Sequence, residues 1–258
     1  MKRSTRSGLL VGTIAFTSAS VLFLLAVNSS EAVQQAKRQA AAAPKQEEER
    51  LEPTQVSVAQ SRVYTFVGKT GFGHDHGVEG KLKSGNLRLG ATEDAGELVF
   101  DMTSFDADTD AARRYVGLNG STDASTRQQV NANMRGDTIL AVRRYPTATF
   151  AIASAKDLGK KSRDGHPQYE LDGKFTLHGT TRPLKLTVTV QKTKEGMDRV
   201  RGSFSILQTH YGITPFSKAL GAVGVTDKLT IHGDILVAAE AAEAEGAAAE
   251  ESPAAASR

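Results

Sequence analysis

Between Tyr169 and Gln191 the chain alternates apolar and polar residues with a period of two, in two successive runs. Tyr169, Leu171, Phe175 and Leu177 share one face of the first run, opposite Glu170, Asp172, Lys174 and Thr176. The second run sets Leu184, Leu186, Val188 and Val190 against Lys185, Thr187, Thr189 and Gln191. A helix would repeat near every fourth residue, so both runs predict β-strands. Between them, His178 to Pro183 carries a glycine that tolerates positive φ and a proline suited to a strand start. The stretch therefore predicts an antiparallel hairpin with one dry and one wet face. Such a hairpin cannot bury its own dry face, and further strands must close over it.

The same period recurs along the chain. Val56 to Val67 starts the sheet, and Val78 to Ala91 reads as a strand pair or one long bent strand, with Gly85-Asn86 at the bend or turn. Glu97 to Met102, Thr147 to Ala155, Arg199 to Gln208 and Lys228 to Val237 complete the set. The pattern breaks at 105–142. There Phe105 to Thr109 is acidic and turn-like, Ser125 and Gln128 have capping-box spacing, Val130 and Met134 form an i,i+4 apolar pair, and Gly136 ends the helix. A helical turn over Thr138 to Val142 follows. This helical insertion is either a lid over one end of the sheet or a helix packed outside it. His210 to Gly224, an apolar loop, is placed to cover an open mouth.

About eight strands with wet and dry faces predict an all-β, antiparallel fold, either an up-and-down barrel or a two-sheet sandwich. The dry positions Phe66, Leu98, Phe100, Phe150, Ile152, Phe175, Leu177, Leu186, Val188, Phe204, Ile206 and Ile231 either fill a closed core or line a cavity. A membrane barrel would present its apolar residues to lipid between aromatic girdles. Here the wet face is dense in charge and the aromatics do not gather at strand ends, which favours an apolar interior.

Composition divides the 258 residues. Lys2, Arg3 and Arg6 precede a mainly apolar stretch from Leu9 to Val27, so residues 1–32 read as an export signal, cleaved after Ala32 or retained as an anchor attached to the inner membrane. Either way the remainder is exported, with the periplasm as the expected compartment and secretion as the alternative. Residues 33–53 read as a flexible linker and 238–258 as a disordered Ala/Glu-rich tail. The folded domain is expected over 54–237. No cysteine occurs, which excludes a disulfide framework, a lipid-modified cysteine anchor, a CxxCH haem attachment and thiolate metal sites.

The net charge is +3, without a basic stripe or tryptophan platforms, so nucleic-acid binding is not expected. His74 and His76, two positions apart in an extended segment, are candidate metal ligands, with His210 or His166 as a third imidazole. Asp75, or Asp106 with Asp108 and Asp110, supplies carboxylates for an acid/base site, yet no GxSxG, HExxH, P-loop or dinucleotide fingerprint accompanies them. No enzyme is expected. Arg113, Arg114, Arg143 and Arg144 flank the insertion and are candidates for an anionic head group at the mouth.

Several segments together resemble the YceI-like family: FDADT from Phe105 with the arginines after it, RYPTATF from Arg144, GKFTLHGTTRPLKL, RGSFSI from Arg201, and HYGI followed by VTDKLTIHGDI. They occur in the family's order over Val56 to Val237. The resemblance implies a lipocalin-like extended barrel whose apolar lumen holds a polyisoprenoid or fatty-acid-like lipid and needs no cofactor. It makes the twelve dry positions above lumen candidates. The GHDHG turn and the acidic tail depart from the better-known members.

Overall fold

The structure is a computed structural model that describes residues 51–240. The signal or anchor, the linker up to residue 50 and the tail beyond residue 240 lie outside the described residues. Nine antiparallel strands follow one another: β1 (Arg62–Gly71), β2 (His76–Leu87), β3 (Gly96–Ala107), β4 (Thr147–Lys161), β5 (Pro167–Leu177), β6 (Thr180–Lys192), β7 (Asp198–Leu207), the two-residue β8 (Ser217–Lys218) and β9 (Val223–Val237). Helices α1 (Asp110–Tyr115) and α2 (Ala124–Arg135) interrupt the series between β3 and β4. Pairing of β1 with both β2 and β9 closes eight strands into a barrel, and β8 adds to the edge of β9. Closure removes most of the exposed edge that a sandwich would retain.

The 169–191 hairpin forms as its alternation dictates, with Leu177 paired to Thr180. Its turn is shorter than expected: His178 and Gly179 occupy positive φ of 51° and 74°, the requirement of a two-residue primed turn. Pro183 consequently lies within β6, opposite Lys174 on the β5 side. It is tolerated because β6 pairs with β7 only over Val188–Lys192, leaving its first half as an edge.

Up-and-down order puts alternate connections at opposite ends. The far end carries the β2–β3, β4–β5 and β6–β7 turns and is closed by the N-terminal segment, where Val56, 1% exposed, bridges to Val237 and Gln55 bridges to Asn86. The mouth end carries the 72–75 turn, the helical insertion, the His178-Gly179 turn and the 208–222 connection.

Several local expectations are revised. Residues 78–87 form one continuous strand, with bulges at 79/81 and 82/84, so Gly85-Asn86 is no hairpin. The acidic stretch from Phe105 stays in β3 as far as Ala107. The cap of α2 is Asp123, whose Oδ1 accepts from the Thr126 N–H at 3.0 Å, and Ser125 lies inside the helix. Helix α1 was not foreseen, because six residues are too few to show a period. It packs outside β1 and β2, where a Cβ on Gly77 would come within 2.9 Å of the Ala112 backbone.

Candidate functional site

Inward residues of all eight barrel strands enclose an apolar cavity of about 220 Å³. It runs from His76, Gln208 and Phe216 at the mouth to Leu87, Leu171 and Val200 towards the far end. With lining residues at both ends of the strands, the cavity is elongated along the barrel. Phe175 meets Phe100 and Phe204 of the wall and the core residue Tyr211 edge-on, with ring centroids 6.4, 5.6 and 5.8 Å away. Such edge-to-face pairs hold their rings in fixed orientations.

Of the twelve lumen candidates, Leu98, Phe100, Phe150, Phe175, Leu177, Leu186, Val188, Phe204 and Ile231 line this cavity. Three do not. Ile152 and Ile206 are 2% and 8% exposed in the packed core, outside the cavity wall. Ile152 is paired with Gly96 on one side and Gly173 on the other. Phe66 belongs to the outer face of β1, whose inward residues are Val63, Thr65 and Val67. A strand's period of two assigns every residue once one is placed. The polar Thr65 takes the inner position, while the aromatic Tyr64 stacks outside on Tyr115 of α1 at 4.0 Å.

Two parts of the wall lie outside the twelve candidates. Val130, Asn133 and Met134 of α2 and the following Ile139 and Leu140 contribute from the insertion, which makes it a lid on the cavity and not an external helix. Their i,i+4 apolar pair was the available signal. Phe216 and Gln208 contribute from the connection after β7, as the apolar content of that loop suggested. One side of the mouth stays unsealed where β6 and β7 do not pair. Leu184, Leu186 and Phe204 beside this gap are inward-facing yet only partly buried.

The polar cluster at the mouth is organised by Asp108, whose side chain is fully buried. Its Oδ1 accepts from the Gly77 N–H and from Arg113 Nη1, both at 3.2 Å, and its Oδ2 accepts from Thr122 Oγ1 at 3.1 Å. His76 Nδ1 lies 2.8 Å from Oδ2 and His74 Nε2 lies 3.5 Å from it. Burial by itself pushes the Asp108 carboxyl up, but hydrogen bonds from His76, Gly77 and Thr122 outweigh it and bring it down to about 2. The carboxylate is thus ionised, and His76 Nδ1 must be the donor.

This arrangement reassigns the polar candidates. Asp108 replaces both His210 and His166 as the group gathered with His74 and His76. The His210 carbonyl instead accepts from Arg182 Nε at 2.7 Å, and His166 borders a separate hollow at the far end. Asp75 is turned away, accepting from the Lys69 N–H at 2.8 Å. Asp106 ties α2 to β3 through Arg127 and Asn131, and Asp110 sits in the first turn of α1, so neither converges on a reaction centre. Arg113 is committed to Asp108 and to the carbonyls of Asn119 and Gly120. Arg143 pairs with Asp137 at the surface, Arg144 lies over the Tyr145 ring, and none of the four arginines borders the cavity.

The YceI-like domain model matches residues 52–237, from the segment that closes the far end to the last barrel strand. Among solved structures, the chain is similar to BcnA of Burkholderia cenocepacia, with 19% identity, 70% of this chain and 98% of that chain covered and a TM-score of 0.46. It is also similar to a polyisoprenoid binding domain from Saccharophagus degradans implicated in plant cell wall breakdown, with 16% identity, 73% and 100% coverage and a TM-score of 0.49. A YceI protein of Campylobacter jejuni matches with 13% identity, 52% and 70% coverage and a TM-score of 0.33. No curated protein matches the chain. Since the domain match takes in every strand of the barrel and most of the chain, this protein belongs to the YceI-like domain family.

Proposed function

We propose that the protein is a non-enzymatic carrier that holds a polyisoprenoid or another amphiphilic lipid in its barrel lumen, for transport, storage or sequestration. The observation that carries this reading is the elongated cavity, whose wall is apolar from end to end except for a few groups such as Thr65, His76, Asn133 and Gln208. Thr65, His76 and Gln208 together with Asn133 give an amphiphile's polar end somewhere to stop, while the chain runs inward. Each methylene moved from water into such a lumen contributes about 0.8 kcal/mol, so ten give roughly 8 kcal/mol before ordering costs. Useful affinity then needs no dedicated polar contact, no cofactor and no catalytic residue.

Two further features support exchange with a membrane. The unpaired stretch between β6 and β7 offers a lateral way in that needs no strand to separate. Phe72 and Leu220, 90% and 109% exposed, project from the same end of the barrel, where an apolar surface can meet lipid. The basic, then apolar N-terminus supports reading this exchange as periplasmic, with the chain free or held at the inner membrane.

The test is native mass spectrometry of the full chain exported in a bacterial host, with organic extraction of the same sample. A stoichiometric chain-lipid mass supports the carrier; a protein that stays empty after reconstitution with polyisoprenoid and fatty-acid vesicles overturns it.

A further inference from the structure

We propose that His74, His76 and Asp108 form a binding site for a divalent transition ion of the zinc(II) type at the rim of the barrel mouth. Two imidazoles and one carboxylate are a donor set that such ions prefer over magnesium or calcium, which favour all-oxygen shells. One ligand atom from each of the three residues lies within 4.8 Å of the others. Bonds of about 2.0–2.2 Å in a tetrahedral shell put ligand atoms about 3.3 Å apart. The two separations to Asp108 Oδ2, 2.8 Å from His76 and 3.5 Å from His74, straddle that value.

The surroundings hold these groups as an outer shell would. Arg113 and the Gly77 N–H occupy Oδ1, while Oδ2, which also accepts from Thr122 Oγ1, faces the two rings. Arg113 is itself fixed by backbone carbonyls of the segment after α1, so the carboxylate cannot swing away. Asp108 also adopts φ of 56°, a strained backbone state for a non-glycine residue, and its N–H donates to the Gly77 carbonyl at 2.6 Å. Outer-shell partners of this kind orient ligands and raise metal affinity. His74 is the adaptable member: its side chain is 49% exposed, and the rings lie 4.4 Å apart at 52°.

Binding asks for little rearrangement. His76 gives up its Nδ1 proton to bind and keeps Nε2–H, and its ring withdraws about 0.5 Å from Oδ2 to admit the ion. Positions not taken by the three ligands are open to solvent on the His74 side. The site shares His76 with the lumen wall, whereas His74 and Asp108 lie outside it, so delipidated protein is used and His74→Ala is the variant that leaves the lumen untouched.

The full chain, untagged and stripped with chelator, is titrated with Zn²⁺ against a competing indicator, and with Co²⁺ followed by its visible absorption. The expected result is one ion per chain, weakened at least tenfold in His74→Ala and in His76→Ala, and unchanged in His210→Ala. Loss of the cobalt band in His74→Ala provides a readout that a purely structural turn would not move, and circular dichroism confirms that this half-exposed substitution leaves the barrel folded. Absence of stoichiometric Zn²⁺ binding, affinity in His74→Ala within twofold of the original chain, or loss of binding in His210→Ala would each overturn the site.

Discussion

Phe175 of β5 and Phe204 of β7 meet edge-to-face at 5.6 Å and 75°, reaching past β6, which lies between their strands. Phe175 is 5% exposed, whereas Phe204 is only partly buried beside the β6–β7 gap. The two rings therefore separate stability from binding. Phe175→Ala is expected to cost about 3–5 kcal/mol, as truncation of a buried aromatic does. Phe204→Arg should cost less, because the charge can reach water through the gap, yet it should abolish lipid retention. Urea denaturation and lipid extraction of both variants check this, and a folded Phe204→Arg protein with undiminished lipid would remove the ring from the binding site.

Asp108 and Arg113 are each other's compensation in a buried place, with Asp108 fully buried and the Arg113 side chain 10% exposed. Asp108→Ala leaves an unpaired guanidinium and should destabilise by about 3–5 kcal/mol. Adding Arg113→Met to it should recover part of that loss, since a buried pair replaced by apolar groups is often close to neutral. Chemical denaturation in the presence of chelator measures the protein term alone.

The start of α2 gives a sharper comparison. Asp123→Ala should cost about 1 kcal/mol by removing the hydrogen bond to the Thr126 N–H, whereas Ser125→Ala should be nearly silent. Equal effects in thermal melts would restore the capping box to Ser125.

His232 lies outside the barrel beside Tyr115, with ring centroids 5.9 Å apart. Burial pushes its imidazolium below the usual value of 6.5. Between 6.5 and the lower folded value, the unfolded chain binds the extra proton, so stability declines as pH falls through this window and levels off below it. His232→Gln should flatten that decline without altering stability at pH 8. A midpoint in urea that follows the same pH curve in both proteins would rule out this contribution.

Much of this protein follows from period and composition. The alternation in 169–191 and its repeats determines the strands, their dry faces and the antiparallel order, because a side chain's face depends only on its position along its own strand. Phe175, Phe150 and Leu98 were assignable to the interior for that reason. The His-Asp-His turn was visible as chemistry, and the i,i+4 pair at Val130 and Met134 marked α2, the longer of the two α-helices among the described residues.

Tertiary structure decided what depends on distant partners. Barrel closure came from β1 meeting β9, 223–237 against 62–71, which no local window contains. Phe66 left the lumen because the pairing of β1 gave Thr65 the inner face. Asp108 displaced His210 beside the histidines because a bend after β3 and the packing of α1 bring residues 74, 76 and 108 together, while His210 is held by Arg182. Local sequence sets which face a residue can take; closure and burial set which residues meet there.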